Sequence, residues 1–397
     1  MSRFIFILAF VLATLANGPG RAAPAEGTNT TPAREAIVVD YDTGTVLFEK
    51  NADQRMPTSS MSKTLTAYVI FEALRDGKLT LDQTLPVSEK AWRMQGSKMF
   101  VALDSQVSVQ DLIRGVIIQS GNDATIVLAE GLAGDESRFA EMMNAKAAQM
   151  GMKNSHFVNA SGWPDPNHYS TARDLAILGS HIVRDFPEYY KWYSETEFKY
   201  NNIRQYNRNP LLRHGIGADG IKTGHAEEAG YGLIGSGVRN GRRVVLVVNG
   251  LPDMKARENE SVRLLEWALS AFENRPLFKK GEGVIDAPVV LGLANSVPLV
   301  CAENVTVTAP KNATSALKAE AVYNAPLRAP IRKGDRVGVL RVQTPLLGAQ
   351  EWTLVAADDV PASGFFRTAW QKMRLRFFGI GRDASPPSDV SPAAGIP

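Results

Sequence analysis

The sequence predicts an α+β fold: an antiparallel sheet flanked by helices, followed by a small β-sandwich-like domain and a C-terminal amphipathic helix. Three observations carry that prediction. Two strand-like runs near the start lead into a long helical block, and after Gly215 the hydrophobic period changes from helical to alternating. Three alternating runs then form a meander that closes on one more helix. Beyond residue 277 the pattern breaks into short β-rich runs punctuated by Pro, Gly and Asn. With 397 residues the chain can bury at least one large core and hold two or three modules.

Each element has a local reason. Met1-Ser2-Arg3 is a short positive start, residues 4–16 are apolar, and small residues follow up to Ala22 and Ala25. Residues 1–22 therefore read as a secretory signal, too short in its apolar run to span a bilayer. Residues 23–34, rich in Ala, Thr and Pro, read as a linker. A first folded domain is expected over 35–275. It opens with strands at 36–41 and 45–49, joined by a turn at Asp42-Thr43-Gly44. Pro57 precedes a helix over 60–75, with Met61, Leu65, Tyr68, Val69 and Ala73 at helical spacing and Gly77 beyond its end. Further helices are expected over 109–118, 138–150 and 171–183, the last with Asp174 in its first turn. Strands follow at 219–223, 231–236 and 243–248, the last two joined through Asn240-Gly241, a tight-hairpin signal. A helix over 261–273 completes the domain.

A β-rich domain is expected over 276–360, from short runs at 289–291, 305–308, 317–322, 336–342 and 352–356. Residues 361–380 change character again. On a helical wheel Phe365, Phe366, Ala369, Trp370, Met373 and Phe377 share an arc of roughly 140°. Basic residues lie at its edges or behind it. Such a helix is too short and charged to span a bilayer but suits its surface. Residues 381–397, rich in Pro, Ser and Ala, read as a disordered tail.

Composition removes several function classes. Cys301 is the one cysteine, so no intrachain disulfide can form, and it lies far from the motifs described next. A formal net charge of +3 gives no sign of a nucleic-acid partner. The five histidines are scattered without H-E-x-x-H spacing, so neither a zinc site nor any other metal or cofactor is expected.

Three short motifs run in order along the first domain: Ser60-Met61-Ser62-Lys63, Ser120-Gly121-Asn122 and Lys222-Thr223-Gly224. About one or two S-x-x-K matches arise by chance in a chain this long, and a second one at Ser315–Lys318 is of that kind. The other two tripeptides occur once each, against an expectation of ~0.1. Serine needs a base to become a nucleophile, and one helical turn puts Lys63 beside Ser60. Burial and a second cation would keep Lys63 neutral part of the time, and Lys222 is the candidate cation. Ser120 can carry a proton to a leaving amine, while Asn122 can hydrogen-bond a substrate amide. At a strand end, Lys222-Thr223-Gly224 can hold an extended peptide, with Thr223 and Lys222 suited to its terminal carboxylate and Gly224 allowing close approach. Together the motifs describe an active-serine acyl transferase.

Longer strings carry a resemblance. Asp219-Gly220-Ile221-Lys222-Thr223-Gly224-His225 followed by Ala229-Gly230-Tyr231 resembles the D-alanyl-D-alanine carboxypeptidases, the low-molecular-mass penicillin-binding proteins. So do residues 57–63, Ser120-Gly121-Asn122-Asp123-Ala124, Ser170-Thr171-Ala172-Arg173-Asp174, Asn207-Arg208-Asn209 and Arg257-Glu258. The similarity runs over about 36–272, and the β-rich module and amphipathic helix match that family's layout more loosely. The resemblance implies a β-lactamase/transpeptidase-like catalytic domain. It implies that Ser60 attacks the carbonyl between two D-alanines of a peptidoglycan stem peptide, with Lys63 as base and water releasing the acyl-enzyme. The backbone N–H groups of Ser60 and His225 would form the oxyanion hole. Arg208, Thr223 and Arg257 would bind the terminal carboxylate, and β-lactam antibiotics would acylate Ser60. The β-rich domain would be a spacer, and the protein would sit in the periplasm on the outer face of the cytoplasmic membrane. The chain departs from the family's pattern in its Pro-rich tail and at Pro210-Leu211-Leu212-Arg213-His214.

Three other readings stand beside this one. A β-lactamase would share the motifs, but no E-x-x-L-N string supplies the extra carboxylate base. An endopeptidase cutting D-alanyl cross-links would use the same site. A non-catalytic wall-binding scaffold would keep the fold without turnover.

Overall fold

In the computed structural model the described residues are 30–311 and 317–364. The expected signal segment, residues 23–29 of the linker, and residues 365–397 with the amphipathic arc and tail lie outside them. Residues 30–34 are packed rather than linker-like. Ala33 is fully buried, and the Arg34 guanidinium donates to the carbonyls of Glu228 and Ala229 at 2.9 and 2.7 Å.

The first domain is built on a five-stranded antiparallel sheet. β1 (Glu35–Asp40) and β2 (Val46–Lys50) form a hairpin at one side. A 3₁₀ turn over Ser59–Ser62 runs into α1 (Lys63–Arg75). Then come β3 (Thr84–Pro86), α2 (Glu89–Arg93), β4 (Gln106–Ser108) and α3 (Val109–Arg114), which continues as a π-helical turn over Gly115–Gln119. The helical block is completed by α4 (Asn122–Ala133), α5 (Glu136–Gln149), α6 (Ala172–Asp185) and α7 (Pro187–Tyr190). A small hairpin, β5 (Glu197–Tyr200) and β6 (Ile203–Tyr206), precedes the meander β7 (Ala218–Ala226), β8 (Gly230–Arg239) and β9 (Arg242–Leu251). The sheet order is β2-β1-β9-β8-β7, so the motif-bearing strand β7 lies at an edge. Asn240 and Gly241, at φ 54° and 78°, supply the two left-handed positions that a two-residue hairpin turn needs.

Alternation along β9 explains why this sheet is sandwiched. Val245 and Val247 face the helical block with Ile37, Ile221 and Ile234. Val244, Leu246 and Val248 face the opposite side, against Leu264, Leu265 and Ala268 of α8 (Met254–Ala271). Side-chain caps set the helix starts: Ser108 accepts from the Asp111 N–H, Thr171 from that of Asp174, and Asp253 from that of Ala256.

Two helices differ from expectation. α8 begins at Met254, not 261, because Asp253 caps it and its first turns are polar and ion-paired (Glu258 with His214 and Lys255, Glu260 with Arg263), which hides them from hydrophobic periodicity. It also stops at Ala271, where Phe272 turns extended and starts a strand. α4 was not foreseen as an element of its own, since it is apolar nearly all round.

The second module is all β. It comprises β10 (Phe272–Phe278), β11 (Gly283–Val290), β12 (Ser296–Cys301), β13 (Val305–Pro310), β14 (Lys318–Tyr323), β15 (Leu327–Arg328), β16 (Arg336–Thr344) and β17 (Gly348–Ala356). β10 pairs with β13, and the others form a six-stranded sheet in the order β14-β16-β17-β12-β11-β15. Its core is separate, built around Val297, Leu299, Val307, Leu340, Val342 and Leu354. Cys301 belongs to that core, and burial pushes its thiol up to about 11, away from nucleophile chemistry.

Candidate active site

The 3₁₀ turn Ser59–Ser62 places Ser60 at the mouth of a cleft between the helical block and β7. Ser60 is half-buried, and Lys63, on the first turn of α1, is 1% exposed. Lys63 Nζ lies 2.8 Å from Ser60 Oγ and donates to the Ser161 carbonyl at 2.6 Å. A neutral amine has two hydrogens and a lone pair. It can therefore give one hydrogen to Ser161 and accept the Ser60 proton.

Ser120 ends the π-helical turn with φ 65°, a left-handed position that aims its side chain out of the helical run. Its Oγ is buried without a hydrogen-bond partner among the described residues, so a donor-acceptor faces the cleft unspent. Asn122 opens α4, where its Nδ2 donates to the Gln95 carbonyl at 2.7 Å. Its neighbour Asp123 is fully buried and accepts from the N–H groups of Met99, Phe100 and Ala124, each at 2.9 Å. Asp123 thus ties the 97–101 loop to the Ser120 turn.

The cleft has two lobes that meet at Ser60, Ser97, Arg208 and His225. One, of about 620 Å³, holds Ser120, Thr223, Gly224, Tyr231 and Arg257. The other, of about 1390 Å³, runs past Asn122, Trp163 and Tyr169. Arg257 closes the first turn of α8, which the earlier start of that helix makes possible. It is 7% exposed, packs over the Tyr231 ring at 5.8 Å, and its Nε is unpartnered among the described residues. Arg208 Nη1 reaches Ser97 Oγ at 2.5 Å, and His225 stacks on Tyr231 at 3.9 Å. Arg208, Arg213, Arg257 and Thr223 thus line the 620 Å³ lobe, with Glu258 as the one carboxylate among them, a donor set for a carboxylate.

Gly224 lines the smaller lobe and has a second close neighbour, whereas Lys222 lines neither lobe. A Cβ at Gly224 would fall 2.9 Å from the Thr58 carbonyl and 3.0 Å from Met61 Cγ, so this glycine lets β7 approach the nucleophile turn. Lys222 is 3% exposed, donates to the Thr223 carbonyl, and is not among the residues lining either lobe. Burial pushes Lys63 down to about 7, the nearby Arg208 charge adds to this, and Asp123 pulls the other way. Lys222 is lowered well below the ordinary lysine range by burial and then by Lys63, Arg208 and Arg257. Burial first and neighbouring positive charge second thus favour a neutral Lys63 near pH 7.

Sequence reasoning passed over Ser161, Gly162 and Asn159. Asn159 Oδ1 accepts from the N–H groups of Ser161, Gly162 and Trp163, which folds the turn that points the Ser161 carbonyl at Lys63. Because the working group is a backbone carbonyl, no side-chain pattern announces it.

The chain matches the D-alanyl-D-alanine carboxypeptidase family model over residues 22–252, and that of the penicillin-binding protein 5 C-terminal domain over 272–362. It is 40% identical over 354 residues to the D-alanyl-D-alanine carboxypeptidase DacA of Haemophilus influenzae, covering 88% of this chain and 90% of that protein. Identity to the Escherichia coli DacA is 36% over 353 residues, covering 87% and 88%. Among solved structures, penicillin binding protein 5 from Haemophilus influenzae superposes with a TM-score of 0.77 at 40% identity, covering 85% of this chain and all of that one.

Proposed function

This chain belongs to the D-alanyl-D-alanine carboxypeptidase family of hydrolases, and from that premise we infer which residues carry the reaction and where the protein works. Ser60 is the nucleophile. Its Oγ attacks the carbonyl carbon of the penultimate D-alanine while its proton passes to Lys63 Nζ. The carbonyl oxygen takes the negative charge, held by the backbone N–H groups of Ser60 and His225. As the C–N bond breaks, the proton travels from Lys63 through Ser120 Oγ to the departing amine, and terminal D-alanine leaves. Water then attacks the Ser60 ester, gives up a proton to Lys63, and releases the shortened stem peptide with Ser60 protonated again. Arg208, Thr223 and Arg257 bind the terminal carboxylate in the smaller lobe, and the acyl part of the peptide lies along Asn122 in the larger one. β-Lactams acylate Ser60 by the same first step.

The observation that carries this reading is the 2.8 Å Lys63–Ser60 contact with a guanidinium-lined lobe beside it. D-alanine release from a peptide ending in D-Ala-D-Ala, compared with cleavage of cross-linked dimeric muropeptides, tests it. Faster release from the linear peptide is expected; preference for the dimer would make the protein an endopeptidase.

The apolar run at 4–16 and the arc from Phe365 to Phe377 support export and residence on the outer face of the cytoplasmic membrane. No helix among the described residues is long and apolar enough to cross a membrane. A chain ending at Pro361 should keep its catalysis and move from the membrane to the soluble fraction; continued sedimentation with membranes would rule the arc out as the anchor.

A further inference from the structure

His168 is 4% exposed, lies outside the three motifs, and has no part in the proton transfers described above. Its ring is held at both nitrogens. The Val158 N–H donates to Nδ1 at 3.3 Å, and Nε2 lies 2.8 Å from Ser62 Oγ. A nitrogen that accepts carries no hydrogen, so in the neutral ring the hydrogen sits on Nε2 and is donated to Ser62. Burial supports the neutral form. It pushes the ring down to about 4, with His156 and Lys63 acting the same way and Asp165 against. Ser62 Oγ, its acceptor role taken by His168, is free to donate to Thr58 Oγ1, 2.5 Å away. Thr58 and Ser62 are the two ends of the turn that carries Ser60, and both are at most 1% exposed.

We propose that His168 is a positioning residue: the one-way chain Val158 N–H to His168 to Ser62 to Thr58 clamps the base of the nucleophile turn and holds Ser60 Oγ against Lys63. This rests on the reading of Ser60 as nucleophile. The turn needs such a clamp, because Ser59 at φ 48° is in the left-handed region and its hydroxyl has no partner among the described residues. Thr58, moreover, does not cap the turn through its side chain, having given that oxygen to Ser62.

Side-chain geometry separates the two links. His168→Asn can keep an acceptor for Val158 but is too short to reach Ser62, whereas His168→Gln can place an amide donor near the Nε2 position. The test uses the full chain and a fluorescent penicillin, following the limiting acylation rate and the half-saturating concentration separately. His168→Asn and Ser62→Ala should each slow limiting acylation about tenfold to a hundredfold, as expected when a reacting group is misplaced by a fraction of an ångström or more. Half-saturation should change by less than the limiting rate, because the carboxylate lobe is untouched and His168, which lines the larger lobe, is only 4% exposed. His168→Gln should return to within about threefold of wild type, less than the net worth of one hydrogen bond. The Ser62→Ala, His168→Asn double variant should be no slower than the slower single one, since both remove the same bond. Wild-type acylation in His168→Asn, no recovery in His168→Gln, or additive losses in the double variant would each overturn the clamp. Ser60→Ala is run alongside: an adduct that persists there refutes the nucleophile assignment instead.

Discussion

Lys63 has to be buried enough to lose its proton and connected enough to stay where Ser60 needs it. Both demands are met at one residue: its Nζ is out of water, close to the Arg208 charge, and held by the Ser161 carbonyl. Because the base acts in its neutral form, the acylation rate should be low below pH 7, rise through about 7 and level off above it. Arg208→Ala removes a cation that lowers the Lys63 value, so the inflection should move to higher pH, and the half-saturating substrate concentration should rise as carboxylate binding weakens. A pH–rate profile of penicillin acylation for both proteins checks this; an unmoved inflection would mean that burial alone sets the base. At this scale the closeness of Ser60 and Lys63 was legible, because S-x-x-K at a helix start already fixes it. The contribution of Arg208 was not legible, since it depends on how a segment distant in the chain packs beside Lys63.

Two elements meet the turn that carries Ser60, and a glycine lets each do so. Gly224 brings β7 against it, and Gly162 brings the 159–163 turn. A Cβ at Gly162 would sit 1.8 Å from the Ser59 carbonyl oxygen, and the residue already has φ 76°. Gly162→Ala should therefore destabilise the fold by more than about 1 kcal/mol and also disturb the Ser161 carbonyl that holds Lys63. Urea unfolding and penicillin labelling together should show loss of both stability and acylation, whereas an alanine tolerated in both would mean that the turn shifts freely. The meander strands were legible as short apolar runs bounded by turn signals, and the long amphipathic helices because one face of each is apolar. The start of α8 was not, as its first turns are held by a cap and ion pairs, and Arg257 was consequently not placed on a helix. β10 and β12 escaped for a related reason: Pro276 and Pro298 interrupt runs that reach a strand conformation only through their partners β13 and β11.

Across the whole molecule the two modules are joined by a buried polar knot. Asp40 at the end of β1 is fully buried and pairs with Arg242 at 2.7 Å, whose Nη1 also donates to the Ala268 carbonyl at the end of α8. The other Asp40 oxygen accepts from Thr43 at 3.0 Å and from Asn274 of β10 at 3.1 Å, while Thr43 meets Thr308 of β13 at 2.6 Å. A third link between the modules, from Gln350 to Thr45, runs to the far sheet at 2.6 Å. Asp40→Ala would leave Arg242 buried with its charge uncompensated, and should cost about 3–5 kcal/mol in unfolding free energy. Chemical denaturation checks this, and a loss below about 1 kcal/mol would show that Arg242 is satisfied by the helix end alone. The two-module layout was legible from the change of pattern near residue 277, but the joint between them was not, because its members come from distant parts of the chain. Every proposed step of the reaction runs through Ser60. Its most direct test is peptide mapping by mass spectrometry of the full chain after penicillin treatment, with D-alanine release measured in parallel on wild type and Ser60→Ala. A single penicilloyl adduct on the peptide containing Ser60, with adduct and release both gone in Ser60→Ala, is the predicted result; an adduct on another residue, or release that survives the substitution, would contradict it.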